Sequence, residues 1–130
     1  MPSREEIYEV VKRYADAWAA NDLPTIVDSY HDEVVVHYFG RSPLAGTHTG
    51  KPACLALLMQ VTAKTNRRLI AIQDVLAGAE YGAIIARERF ERDGRSVEIE
   101  RLLRYCVRDG RLSECWIHDE DQRLVDEYWA

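Results

Sequence analysis

The chain has 130 residues, 47% of them apolar and 30% charged, with a formal net charge of -5. That length suits one compact domain over residues 1–130, and the interleaving of acidic with basic residues lacks the positive footprint of a nucleic-acid binder. No run approaches the ~20 apolar residues of a membrane span, and the charged start Met1-Pro2-Ser3-Arg4-Glu5-Glu6 lacks the apolar core of a signal peptide, so the expected setting is cytoplasmic with no membrane partner.

Ser3 followed by Glu6 has the form of a capping box, and Ile7, Val10, Val11, Tyr14, Ala17 and Trp18 then recur at helical spacing. This predicts a first helix ending near Asn21. Asp22 is a natural N-cap for a short second helix, with Pro24 tolerated in its first turn and Ile26, Val27 and Tyr30 on its buried side. A strand is predicted from Glu33 to Phe39. The Gly- and Pro-rich segment from Gly40 to Gly50 reads as a loop, after which Lys51-Pro52 opens a third helix with Leu55, Leu58, Met59 and Thr62 at core spacing.

From there the hydrophobic period changes to two. Strands are predicted over Arg68 to Leu76, Tyr81 to Glu91, Ser96 to Val107 and Leu112 to Asp119, joined at Gly78, Asp93-Gly94 and Asp109-Gly110. The Asp-Gly pairs are strong hairpin signals. Helices followed by a long antiparallel run predict an α+β domain, in which a curved, mainly antiparallel sheet wraps three N-terminal helices and leaves room for an internal pocket.

A two-residue turn at Asp93-Gly94 pairs Arg92 with Arg95, Phe90 with Val97, Arg89 with Glu98, Glu88 with Ile99 and Arg87 with Glu100. One face becomes a ladder of ion pairs and the other an apolar surface interrupted by Glu88. The same arithmetic at Asp109-Gly110 pairs Val107 with Leu112, Tyr105 with Glu114, Leu103 with Trp116 and Arg101 with His118. Glu88, Arg101 and His118 then form a polar row on the inner surface. Such a row is either a structural ion pair or the hydrogen-bonding floor of a ligand pocket. The opposite face, carrying Leu102, Cys106, Cys115 and Ile117 beside the charged ladder, is a candidate homodimer contact.

Cys54, Cys106 and Cys115 have no metal-ligand spacing and read as reduced, small apolar side chains. No His or carboxylate pair has zinc or iron spacing with a credible third ligand, and no Gly-rich phosphate loop joins a strand to a helix. No metal and no cofactor are expected.

Arg13-Tyr14, Asn21-Asp22-Leu23, the strand Val34 to Gly40, Pro43 to Gly46, the hairpin Arg108-Asp109-Gly110-Arg111-Leu112 and the ending Trp116-Ile117-His118-Asp119 with Asp121-Gln122 together resemble the NTF2-like superfamily, in its SnoaL-like and ketosteroid-isomerase-like branch. The resemblance covers almost the whole chain and implies a cone-like α+β fold, a deep apolar pocket and frequent dimers. In ketosteroid isomerases a Tyr of the first helix donates to the substrate oxyanion, which looks like Tyr14. The catalytic Asp at the end of the first strand looks like His37, a departure in residue type, although imidazole suits base work near neutral pH. The second oxyanion donor of those enzymes falls near Arg101 or Leu102, where no carboxylic acid stands. Limonene epoxide hydrolases use carboxylates and an Arg, and the row Glu88, Arg101, His118 is similar in chemistry without the second carboxylate. SnoaL-like cyclases place an acidic base near the last strand, where His118 and Asp119 stand closest.

The resulting expectation is a cofactor-free acid/base enzyme of isomerase, cyclase or hydrolase type acting on a small apolar carbonyl or epoxide compound. His37, Tyr14 and His118 are its candidate catalytic residues, and Arg101, Glu88, Trp18, Met59 and Trp116 its candidate binding residues. The alternative is a binding or accessory domain of the same fold without turnover, since fold alone does not decide function. Tyr14 as a core aromatic and His37 as a packed strand residue are the corresponding structural alternatives.

Overall fold

A computed structural model describes residues 1–130. Helix α1 (Arg4–Ala19) starts where the capping box places it, with the Ser3 hydroxyl accepting from the Glu6 amide at 3.1 Å. Asn21, at φ 53, turns the chain in the left-handed region, and Asp22 caps α2 (Leu23–Ser29) by accepting from the Thr25 amide. Strand β1 (Tyr30–Tyr38) and the short β2 (Gly46–Thr49) pair antiparallel, and α3 (Lys51–Thr65) ends on the left-handed residue Asn66. The long strands β3 (Arg68–Ala77), β4 (Gly82–Arg92), β5 (Arg95–Arg108) and β6 (Arg111–Asp119) follow, and α4 (Gln122–Trp129) closes the chain. No helix is long and apolar enough to cross a membrane.

The six strands form one mixed sheet in the order β2-β1-β6-β5-β4-β3, antiparallel except where β1 runs parallel to β6. The helices and the inner face of the sheet share one core, built from residues such as Ile7, Val11, Val61, Ile84, Phe90 and Tyr105. This is the expected α+β architecture with two additions. Strand β2 lies inside the segment read as a loop, and α4 follows the last strand, capped by Asp121 accepting from the Leu124 amide.

Helix α3 differs in its buried face. Cys54, Leu57, Val61 and Thr65 are buried, whereas Met59 is 74% exposed and Thr62 is exposed. The helix is apolar nearly all round, so spacing alone does not select the inward side.

The β4–β5 hairpin has the register that its turn dictates, with Arg92 opposite Arg95 and Glu88 opposite Ile99. Asp93 and Gly94 both take positive φ, at 54° and 76°, as a primed two-residue turn requires. The β5–β6 hairpin starts in register with Val107 opposite Leu112, but Cys106 then faces Glu114, so Ser113 is bulged out. Every later partner moves by one: Tyr105 faces Cys115, Leu103 faces Ile117 and Arg101 faces Asp119. A one-residue slip exchanges the faces of a strand, and Trp116 and His118 therefore sit on the outer side while Asp119 takes the inner position expected of His118. The same shift brings Cys115 and Ile117 into the core, away from the outer face on which they were expected.

Candidate functional site

A cavity of about 800 Å³ lies between the helices and the inner face of the sheet, and 16 of its 22 lining residues are hydrophobic. Helix α1 contributes Tyr14 and Trp18, α3 contributes Leu58 and Met59, and the sheet supplies the floor. Met59 and Leu58 line it because the surplus apolar side of α3 turns towards the opening. An interior of this size and polarity holds a small, largely apolar molecule oriented by a few polar groups.

The first polar group is a tyrosine pair. The Tyr14 and Tyr30 hydroxyls are 2.5 Å apart, with their rings edge to face at 5.3 Å. Tyr105 packs edge-on against Tyr14, and its buried hydroxyl has no hydrogen-bond partner. Burial pushes all three phenols up, and the Tyr14 hydroxyl is partly drawn back down by its bond to Tyr30. They are hydrogen-bond donors at neutral pH.

The second is a charged cluster on the floor. Arg101 and Glu88 are each 1% exposed, and Arg101 Nη1 donates to Glu88 Oε2 at 2.8 Å. Its Nε donates to Asp119 Oδ1 at 2.5 Å and its Nη2 to Asp119 Oδ2 at 3.3 Å, a forked pair that uses the second side of the guanidinium. Phe90 and Trp129 lie with their ring centres each 5.3 Å from the guanidinium carbon, so the cation sits in an aromatic cage. Burial pulls the Arg101 pKa down and Asp119 with Glu88 more than restores it, so Arg101 stays charged. At Asp119 burial outweighs Arg101 and the carboxyl titrates above its usual range. Glu88 Oε1 makes no hydrogen bond and lies 3.5 Å from Arg67 Nε.

Of the residues singled out in the sequence, Tyr14, Trp18, Met59, Glu88 and Arg101 line this cavity. His37, His118 and Trp116 do not. Val34, Val36 and Tyr38 take the inward positions of β1, so His37 points outward with Val35, 2.6 Å from Glu114 and 3.1 Å from the Thr47 hydroxyl, stacked on Trp116. His118 is exposed against Phe39, and its imidazole is held below its ordinary pKa by partial burial and then by Arg104. No group of three His, Cys, Asp or Glu side chains is arranged to hold a metal ion.

The SnoaL-like domain family matches residues 11–115, four fifths of the chain. The chain belongs to the SnoaL-like family. The solved structure of Bal32a from a soil-derived mobile gene cassette superposes with a TM-score of 0.87 at 25% identity, covering 98% of both chains. An NTF2-like protein from Burkholderia xenovorans gives 0.78 at 21% identity over 98% of both chains. A putative polyketide cyclase from Sinorhizobium meliloti gives 0.67 at 17% identity, covering 90% of this chain and 100% of its own. The last two show a shared fold. No curated protein matches significantly.

The SnoaL-like cavity therefore offers phenolic donors, one carboxylate oxygen with a free lone pair and guanidinium charge, a set sufficient for proton transfer without a cofactor. Three of its polar residues carry no functional signal in the sequence: Tyr30 reads as the buried side of the second helix, Tyr105 as one residue of a long strand, and Arg67 stands between a helix cap and a strand where no periodicity marks it.

Proposed function

We propose that this SnoaL-like protein is a cofactor-free acid/base enzyme of isomerase or cyclase type, acting on a small apolar carbonyl compound bound in the cavity. The carrying observation is Glu88 Oε1, a buried carboxylate oxygen without a hydrogen-bond partner in the wall of an apolar chamber. Such an atom is costly unless something uses it. Glu88 takes a proton from the carbon beside the substrate carbonyl. The C–H electron pair moves into the enolate, and Tyr14, held by Tyr30, donates to the oxygen where charge develops. Return of the proton to a different carbon, or attack of the enolate on a second carbonyl, gives the isomerase and cyclase outcomes. Arg101 and Asp119 position Glu88 and do not touch substrate. For an epoxide, the same carboxylate takes the proton of an attacking water.

The partners in this reading are a small apolar molecule and a second copy of the chain across the outer sheet face, in a cytoplasmic setting. A second reading, ligand binding without turnover, is favoured by one observation: Glu88 is the sole carboxylate or imidazole lining the cavity.

One measurement separates the two. An enolisable aryl ketone such as 1-tetralone is incubated with protein in D₂O and its α-proton signal followed by NMR. Wild type accelerates exchange, and Glu88→Gln reduces that acceleration by about 10²-fold or more while ketone binding persists. Equal exchange by both proteins removes Glu88 as base and leaves the binding domain.

A further inference from the structure

The two arginines beside Glu88 are not equivalent. Arg101 is sealed in, its guanidinium spent on Glu88 and Asp119. Arg67 lines the same cavity with its side chain 15% exposed, and its one ionic contact, Nε to Glu88 Oε1 at 3.5 Å, is too long for a hydrogen bond. A guanidinium carries five N–H donors in a rigid fork, so donor capacity is left over in an apolar chamber. Asn66 explains the placement: its left-handed cap at φ 45 ends α3, and the next residue enters at the head of β3.

We infer that Arg67 is the second electrophile of the cavity: with Tyr14 it receives the anionic oxygen that forms when Glu88 takes the substrate's proton. This rests on the reading of Glu88 as base and adds to it a residue and a charge preference. Two guanidiniums, Arg67 and Arg101, face two carboxylates, Glu88 and Asp119, so the cluster is neutral with a neutral ketone bound. Transfer of the proton to Glu88 removes one negative charge from the protein and creates one on the substrate oxygen. The cluster then carries one unmatched positive charge, and of the two guanidiniums beside Glu88 Arg67 is the one with donors free to spend on the new anion, whereas Arg68, which also lines the cavity, is exposed to solvent. Arg67 is also within electrostatic reach of Tyr14: burial pushes that phenol up, and Arg67 works against the rise. Arg67 offers the new anion a permanent charge from beside the base, 3.5 Å from Glu88 Oε1.

The test uses a stable mimic of the anion and needs no turnover. Para-nitrophenol titrates near neutrality, and its neutral and phenolate forms absorb at different wavelengths, so the spectrum of the bound probe reports its ionisation directly. Wild type binds the phenolate in preference to the neutral phenol. Arg67→Met, which leaves Glu88 held by Arg101, loses that preference by about tenfold or more, the scale of one hydrogen bond to a charged group, and still binds the neutral phenol. Arg67→Lys, which keeps the charge, recovers part of it. An unchanged bound spectrum in Arg67→Met overturns the assignment, whatever Glu88→Gln does to proton exchange. Loss of exchange in Glu88→Gln with no phenolate preference in wild type leaves the base standing and removes Arg67. Failure of wild type to bind either form sinks the ligand cavity and this inference with it.

Discussion

Arg101 is the residue on which the floor of the cavity depends. It is 1% exposed, sits inside an aromatic cage, and bridges two carboxylates contributed by neighbouring strands. Replacing a whole buried ion cluster by apolar groups is often neutral, whereas removing one partner strands the others without compensation. Arg101→Met deletes the cation shared by Glu88 and Asp119, and Arg67 at 3.5 Å is left to answer for Glu88 alone. We expect a loss of about 3–5 kcal/mol, the usual cost of breaking a buried pair, measured by urea unfolding near neutral pH. A change below about 1 kcal/mol, the scale of an exposed pair, would show that water reaches the cluster and that Glu88 is not held as described. The four tyrosines of the cavity wall, Tyr14, Tyr30, Tyr38 and Tyr105, complete the residue-scale picture. Burial raises each of them, so the wall donates hydrogen bonds without bringing a negative charge of its own.

At the scale of elements, the cavity exists because α1 is pinned to the sheet at one end. Gly82 opens β4 directly beneath α1, and a Cβ there would meet Val11 Cγ2 at 2.6 Å and Ile7 Cγ2 at 3.0 Å. Both branched side chains are wholly buried and have nowhere to retreat. Gly82→Ala should therefore push α1 from β4 and destabilise the fold by about 1–3 kcal/mol, the range of overpacked cores, seen as a lower thermal midpoint. An unchanged midpoint would mean that α1 rides loosely on the sheet.

The same scale shows where the sequence can be read and where it cannot. The Asp93-Gly94 turn fixed its hairpin because both residues tolerate positive φ and the strands on each side continue without a break, which carried Glu88 and Arg101 to the inner face. At Asp109-Gly110 the turn was equally plain, yet Ser113 carries no glycine or proline to announce its bulge. The bulge answers a nonlocal demand: β6 must pair with β5 and also with parallel β1, whose own register slips between Tyr30 and Val35 opposite the same stretch. His37 was unreadable for a different reason. Val34, Val35 and Val36 are apolar on both sides of β1, so alternation could not say which side faces the cavity. Arg67 belongs to neither period, and only tertiary placement gives it meaning.

For the molecule as a whole, the outer face of the sheet is what remains once the cavity is assigned to the inner one. It has the composition of an interface. Trp116 lies under Arg104, whose guanidinium carbon is 4.1 Å from its ring centre and 4.8 Å from that of Tyr81, and His37 stacks on the other side of Trp116. Phe39 and Tyr81 are exposed beside them, and tryptophan, tyrosine and arginine are the residues that dominate association energies. The flanking ladder alternates Arg87 and Arg89 on β4 with Glu100 and Glu98 on β5, a pattern that a two-fold axis can match with itself. The second copy of the chain proposed above would occupy this face. Because Trp116 and the cavity lie on opposite sides of β6, the two functions should separate: Trp116→Glu places a charge at the centre of the contact without touching Glu88, Tyr14 or Arg67. Sedimentation velocity at micromolar concentration should find wild type as a dimer and Trp116→Glu as a monomer, with phenolate binding in the cavity preserved. A wild-type monomer would end the dimer assignment, and loss of phenolate binding in the monomeric variant would show that the sheet transmits association to the cavity.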